Sequence, residues 1–364
     1  MSKTVSESRV KKFQALMEKN RIDAAMIRNI YSFVYFTGTQ WWQPSVLIPQ
    51  NGEPTIFVFE DEVEELQEKT WITNILGYRK IEELMRAVVD SIRKCGAQTV
   101  GFDIDVDASA LLYEQFKAMH PHHKIVDAHG LIMQLRMVKD QTEIENIRMA
   151  SECAQAGLEA AVKAVKEGTT ETAVAGEAEN AARKKGAERV LVYVNSGRPR
   201  VHAHPRNKKI ETGDTVMIDI MPAFNGYHSD ISHTVFVGKA SGEKKRAYQA
   251  FVEAVGSYID GLKPGIGLDE LETIPQNVFQ NHGVEKYYVY GFAHGVGLRF
   301  EEDPITTIVV PQRKAKTLEN MVLGVGHAPL SGKEVGAIKT EGTVLVKKGG
   351  AEKLTEFKRE LLEV

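Results

Sequence analysis

Residues 216–238 read VMIDIMPAFNGYHSDISHTVFVG. Val216–Ile220 has the apolar, β-branched character of a buried strand. Asn225-Gly226 is a strong hairpin signal, because both residues tolerate the positive φ of a type I′ turn. Tyr227–Val237 then reads as the returning strand. Pairing about that turn sets residue 221 opposite 230. Asp219 lies two residues along on the same face, so Asp219 and Asp230, eleven residues apart, become diagonal neighbours. Two carboxylates inside an apolar hairpin repel each other and are costly to desolvate unless a cation lies between them. The economical cation is a divalent metal, as one ion or a pair.

The chain has 364 residues, which favours two domains, and a net charge of −3, which argues against a nucleic-acid binder. The two cysteines, Cys95 and Cys153, are far apart in sequence and make neither a disulfide framework nor a thiolate metal site. No apolar run reaches the length of a membrane span, and MSKTVSESRVKKF has no apolar stretch of a signal peptide. The expectation is a cytoplasmic protein with no membrane or nucleic-acid partner.

The first 134 residues alternate helical and strand patterns. Val10, Phe13, Leu16 and Met17 recur at helical spacing, AAMIRN reads as a strand, and YFTG reads as a turn. VLIP and PTIFVF flank the Asn51-Gly52 turn; residues 80–95 are helical, TVGFDID is a strand and ALLYEQFKAM a helix. The MHPHH tract, His120, His122 and His123, is expected at the surface. This describes a small α/β domain over 1–134. Over 139–364 the pattern becomes α+β. Helices are expected over Thr142–Lys166 and Glu171–Lys185, strands and turns beyond residue 190, and a helix pair over Lys244–Leu262 and Leu268–His282.

Ligands for the cation must come from several elements. GFAHGVGLRFEEDP sets His294 between glycines and supplies Glu301 and Glu302; AIKTEGTVLV sets Glu341 ahead of an apolar strand. Carboxylates with one imidazole suit Mn²⁺, Co²⁺, Zn²⁺ or Fe²⁺. VHAHP offers His202 and His204 before the first strand of the hairpin.

With these residues in order, the chain resembles the pita-bread superfamily of prolidase, aminopeptidase P, methionine aminopeptidase and creatinase, and is closest in layout to prolidase. The likeness implies a creatinase/prolidase-type N-terminal domain followed by a pita-bread catalytic domain, and a homodimer. In that family's metallopeptidases an Asp, a second Asp eleven residues on, a His and two Glu hold two metals. Asp219, Asp230, His294 and Glu341 fall on four of those five positions. His202 falls on the substrate-facing histidine and is expected to donate to the substrate carbonyl.

The chain departs from the family twice. Where relatives carry a metal-binding glutamate, MVLGVGHAP has Gly326, with His327 beside it; where they carry a histidine, HGVGLRFEE has Glu301. An exchange of roles between Glu301 and His327 is the reading taken here. It needs a bulge to turn His327 into the site, because adjacent strand residues face opposite ways. Glu301 or Glu302 then takes the proton-handling role of the missing glutamate. The resemblance implies metal-dependent hydrolysis of the bond before proline in short peptides. A creatinase-like or other non-peptidase amide hydrolase or lyase, and an inactive binding protein, are the alternatives.

Overall fold

A computed structural model describes residues 3–105, 108–200, 203–356 and 360–364. Two compact units divide the chain, Met1–Arg136 and Met137–Val364.

The first unit is built on a six-stranded mixed sheet in the order Asn74–Tyr78, Thr55–Phe59, Val46–Pro49, Ala24–Ile27, Thr99–Phe102, Lys124–Asp127. Ala24–Ile27 pairs parallel with Thr99–Phe102 on one side and antiparallel with Val46–Pro49 on the other. The N-terminal helix Lys3–Lys19 buries Val10, Phe13 and Met17, three of the four residues picked out by spacing. The reading of YFTG as a turn is corrected: Ile30–Thr37 is a helix ending on Gly38. Its run of aromatic and β-branched residues favours extended structure by propensity. The caps decide otherwise. The Asn29 side chain accepts from the backbone N–H groups of Tyr31 and Ser32, and Gly38 takes the left-handed conformation at φ 79°.

In the MHPHH tract His122 is exposed as expected and His123 partly so, while the surface reading of His120 is corrected. His120 is only 2% exposed, with its ring 4.5 Å from that of Phe116. Neither ring nitrogen has a hydrogen-bond partner among the described residues. Burial, followed by the neighbouring His123, pushes its pKa down from 6.5 to about 4. The unfolded chain therefore binds a proton between pH 6.5 and 4 that the folded chain refuses. His120 leaves stability intact above pH 6.5 and removes roughly 3 kcal/mol as pH falls to 4. We expect His120→Leu to flatten the loss of urea-unfolding free energy between pH 7 and 4.5; an unchanged slope would show that this ring is not the titrating group.

The second unit repeats one arrangement twice, a helix pair on a largely antiparallel sheet, the exception being the short edge strand Leu362–Glu363, parallel to Ile231–Phe236. Helices Gln141–Ala164 and Glu171–Lys184 cover the sheet of Arg189–Ser196, Thr215–Phe224 and Ile231–Phe236. Ala154, Leu158 and Val174 pack there on Val192, Ile218 and Ile220. The first helix starts on a capping box, Asp140 with Glu143. Its Gly157 lets the second helix approach, since a Cβ there would lie 3.1 Å from the Ala178 carbonyl.

Helices Gly242–Gly261 and Leu268–Asn281 cover the other sheet, ordered Glu302–Ile305, Ala293–Gly295, Val322–Val325, Gly342–Lys347, Gly350–Lys353. Phe251, Tyr258 and Phe279 pack on Phe292, Leu323 and Val344. An isolated antiparallel bridge between Ser232 and Glu341 joins the two sheets. The class is α+β, as expected.

Candidate metal centre

The Asn225-Gly226 turn has φ of 48° and 82°, as the sequence requires. It sets Ala223 opposite His228, Ile220 opposite Ile231 and Asp219 opposite Ser232. That register continues to 221 opposite 230, so Asp219 and Asp230 are the expected diagonal pair. The return strand is broken at Ser229 and Asp230, between Tyr227–His228 and Ile231–Phe236. The Thr343 hydroxyl clamps the break: it accepts from the Asp230 N–H and donates to the Asp230 carbonyl, both at 2.9 Å.

Glu341 is fixed by two 3.2 Å backbone hydrogen bonds to Ser232. His294 lies on Ala293–Gly295, opposite Gly324 on the neighbouring strand. Glu272 anchors the entry to that strand, accepting from the Gly291 and Phe292 N–H groups at 3.1 and 3.0 Å.

These elements converge on one buried cluster. His294 Nε2 lies 3.1 Å from Glu341 Oε1 and 3.6 Å from Asp230 Oδ2. His294 Nδ1 lies 3.0 Å from the Gly295 carbonyl, which can only accept. Nδ1 therefore carries a hydrogen, and Nε2 is the nitrogen directed at the carboxylates. Gly324 leaves room for this: a Cβ there would lie 2.6 Å from His294 Nε2 and 2.7 Å from Glu341 Oε1.

The Gly326 and His327 N–H groups both donate to the Phe292 carbonyl, at 2.9 and 3.1 Å. Two residues against one is a bulge, with Gly326 at φ 99°. It turns His327 toward the cluster, its ring edge-on to that of His294 with centroids 4.4 Å apart. His327 Nδ1 is 3.8 Å from Glu341 Oε1, and Nε2 is 3.6 Å from Glu301 Oε1. Glu302 goes elsewhere. Its buried carboxylate lies 3.1 Å from the Lys139 ammonium, which corrects its assignment as a proton carrier. His202 lies outside the described residues. His204 is exposed, its ring 5.3 Å from that of Tyr193, which stands opposite Asp219.

Sequence reasoning missed Lys339. Its side chain is buried, with Nζ 2.6 Å from both Asp219 Oδ2 and Glu341 Oε2. The signal was available: Lys339 is two residues before Glu341, so an extended chain puts both on one face, in an otherwise apolar, glycine-rich stretch.

The electrostatics follow from this packing. Burial raises the Asp230 carboxyl well above its usual range, and the charges of Glu341 and Asp219 raise it further. Burial alone would raise Glu341, but Lys339 and His294 hold it below the ordinary carboxylate value. Burial opposes the charge on Lys339 and on His294; Asp219 and Glu341 overcome it for the lysine, and Glu341 for the histidine.

The donors fit a divalent metal. Asp219 Oδ1 and Asp230 Oδ1 are buried with no hydrogen-bond partner among the described residues. Donor atoms of Asp219, Asp230 and Glu341, and likewise of His294, His327 and Glu341, lie within 4.8 Å of one another.

Comparison with known proteins agrees. Residues 145–348 match Metallopeptidase family M24, and residues 9–138 match the Creatinase/Prolidase N-terminal domain. The chain is 29% identical over 361 residues to the Xaa-Pro dipeptidase of Pyrococcus furiosus, covering 98% of this chain and 100% of that one. The crystal structure of the prolidase from Pyrococcus horikoshii matches at a TM-score of 0.88 and 28% identity, covering 98% of this chain and 100% of that one. The prolidase structure from Pyrococcus furiosus matches at 0.84 and 27%, covering 95% and 99%. With family, fold and a buried donor cluster in agreement, the chain belongs to metallopeptidase family M24, joined to a creatinase/prolidase-type N-terminal domain.

Proposed function

We propose that the protein is a metal-dependent exopeptidase that hydrolyses the bond before proline in dipeptides or short peptides. The observation that carries this is the convergence of Asp230, His294, His327 and Glu341 on one buried site in an M24 fold. The substrate class is supported by relatives named Xaa-Pro dipeptidase and prolidase over nearly their full length. Those relatives do not favour the non-peptidase or inactive alternatives.

Asp219, Asp230, His294, Glu341 and His327 form the candidate ligand set. A divalent ion held there supplies a Lewis acid for the scissile carbonyl and lowers the pKa of an attacking water. The Glu301 carboxylate, 3.6 Å from His327 Nε2, takes the water's proton and passes it to the departing proline nitrogen. His202 donates to the substrate carbonyl, stabilising the charge that develops on its oxygen. Lys339 neutralises Asp219 and Glu341 while the substrate displaces water.

We place the protein in the cytosol as a homodimer. Two unpaired cysteines suit a reducing compartment, and no helix among the described residues is long and apolar enough to cross a membrane. The dimer rests on the family resemblance.

The test is proline release from an Xaa-Pro dipeptide series beside the matching Xaa-Ala series, in Mn²⁺, Co²⁺ or Zn²⁺. Faster turnover of the proline series, lost in Asp230→Asn, is expected. Equal turnover of both series would refute the substrate class.

A further inference from the structure

We propose that this centre takes a single divalent ion, held by His294, His327 and Glu341. The Lys339 ammonium stands where a second ion would otherwise sit, between Asp219, Asp230 and Glu341. The inference rests on the metal-binding reading above but not on the peptide substrate.

The buried donors form two groups that share Glu341. One is Asp219, Asp230 and Glu341; the other is His294, His327 and Glu341. The first group already holds a cation, because Lys339 Nζ lies 2.6 Å from Asp219 Oδ2 and 2.6 Å from Glu341 Oε2. A metal on those oxygens would sit at about 2.0–2.2 Å and would have to expel the ammonium. Lys339 is 2% exposed, and its backbone N–H and carbonyl are both bonded to the Thr234 hydroxyl at 2.9 Å, so the ammonium is carried into the cluster from a fixed, buried point. Ammonium and metal side by side on the same carboxylate oxygens would repel strongly in so dry a site.

Charge gives the same answer. Asp219, Asp230, Glu341 and the partly buried Glu301 carry at most four negative charges when ionised, and one ammonium with one divalent ion supplies three positive ones without exceeding them. A pair of divalent ions beside Lys339 would leave a buried positive excess.

The second group has been rebuilt to take the remaining ion. The strand Val322–Val325 offers no carboxylate at the site: Gly324 faces the cluster without a side chain, and Gly326 is the bulge glycine. The donor from this stretch is the His327 imidazole, carried in by that bulge. Two imidazoles and a carboxylate, with Asp230 Oδ2 3.6 Å from His294 Nε2, make a softer set than carboxylates with one histidine. It favours Zn²⁺, Co²⁺ or Fe²⁺ over Mn²⁺ or Mg²⁺.

Ion counting tests this without any turnover. Chelator-stripped protein is dialysed against Co²⁺ or Zn²⁺ and the bound metal counted by mass spectrometry. A second sample is loaded with Mn²⁺ for electron paramagnetic resonance. One ion per chain and the hyperfine pattern of an isolated Mn²⁺ are expected. His327→Gln should weaken Zn²⁺ binding about tenfold or more, and Lys339→Met should admit a second ion with a spin-coupled Mn²⁺ pair. Two ions per wild-type chain, a coupled pair in the wild type, or no bound ion overturns the proposal. Unchanged Zn²⁺ affinity in His327→Gln overturns the ligand set, and a folded Lys339→Met that still binds one ion overturns the role of the lysine. If Lys339→Met does not fold, the wild-type count and spectrum and the His327 variant decide. A single bound ion with no prolyl-dipeptide turnover would sink only the substrate class.

Discussion

Glu341→Gln is expected to cut metal-dependent hydrolysis about a thousandfold and to leave a folded protein. Glu341 belongs to both donor groups, and its two oxygens face His294 and Lys339. The amide keeps the shape, removes the charge and offers one oxygen in place of two. Losing roughly 4 kcal/mol of transition-state charge stabilisation lowers kcat/KM about a thousandfold. The fold is less affected. Lys339 keeps Asp219 at 2.6 Å and His294 keeps Asp230 at 3.6 Å, so the metal-free protein loses about 1.5–3 kcal/mol. Steady-state kinetics with urea unfolding separates the two effects. Near-normal kcat/KM in a folded Glu341→Gln protein would remove this carboxylate from the mechanism.

Lys339→Met should show the opposite balance. Without metal, Asp219, Asp230 and Glu341 are buried together with no ammonium between them. Breaking a buried ion pair on one side costs about 3–5 kcal/mol. The deficit depends on pH with a definite sign. Lys339 is one of the charges holding Glu341 low, and it also lowers Asp230. Removing it raises both carboxyls, and a carboxyl whose folded pKa lies above its unfolded value binds an extra proton in the folded state. Stability is then regained as pH falls through that window. Urea unfolding of metal-free Lys339→Met should show a larger deficit against wild type at pH 8 than at pH 5. Added Zn²⁺ should stabilise the variant more than the wild type, because binding to the native state adds stability by mass action. A deficit independent of pH and metal would mean that the variant has lost only packing.

Most of the elements and the centre of the site were readable from residue order. The hairpin register followed from Asn225-Gly226 alone, since that turn admits one pairing and the strand period assigns the faces. The helices Gln141–Ala164, Glu171–Lys184, Gly242–Gly261 and Leu268–Asn281 lie within a few residues of their sequence boundaries, because each is long and periodic and the first three carry a side-chain N-cap. Helix Ile30–Thr37 was hidden, as its composition favours strand and only its two caps favour helix.

At the site, Asp219, Asp230, His294 and Glu341 were picked out by type and spacing. Lys339 was not. A search for ligands looks for donors that bind a metal, and an ammonium inside the cage replaces one instead. Glu302 was misassigned because its partner Lys139 is 163 residues away in sequence, a pairing that only tertiary structure creates. His120 was read as surface with the rest of its tract, although its ring packs on Phe116.

Hydrolysis of the bond before proline is proposed to take place at the Asp230, His294, His327 and Glu341 cluster with the help of a divalent ion. The most direct test is proline release by protein stripped with a chelator and then titrated with Zn²⁺, Co²⁺ or Mn²⁺, beside His294→Ala treated in the same way. We predict that turnover disappears on stripping, returns as metal binds and stays absent in the variant. Proline release that survives complete removal of metal, or persists at the wild-type rate in His294→Ala, would contradict metal-assisted hydrolysis at this cluster.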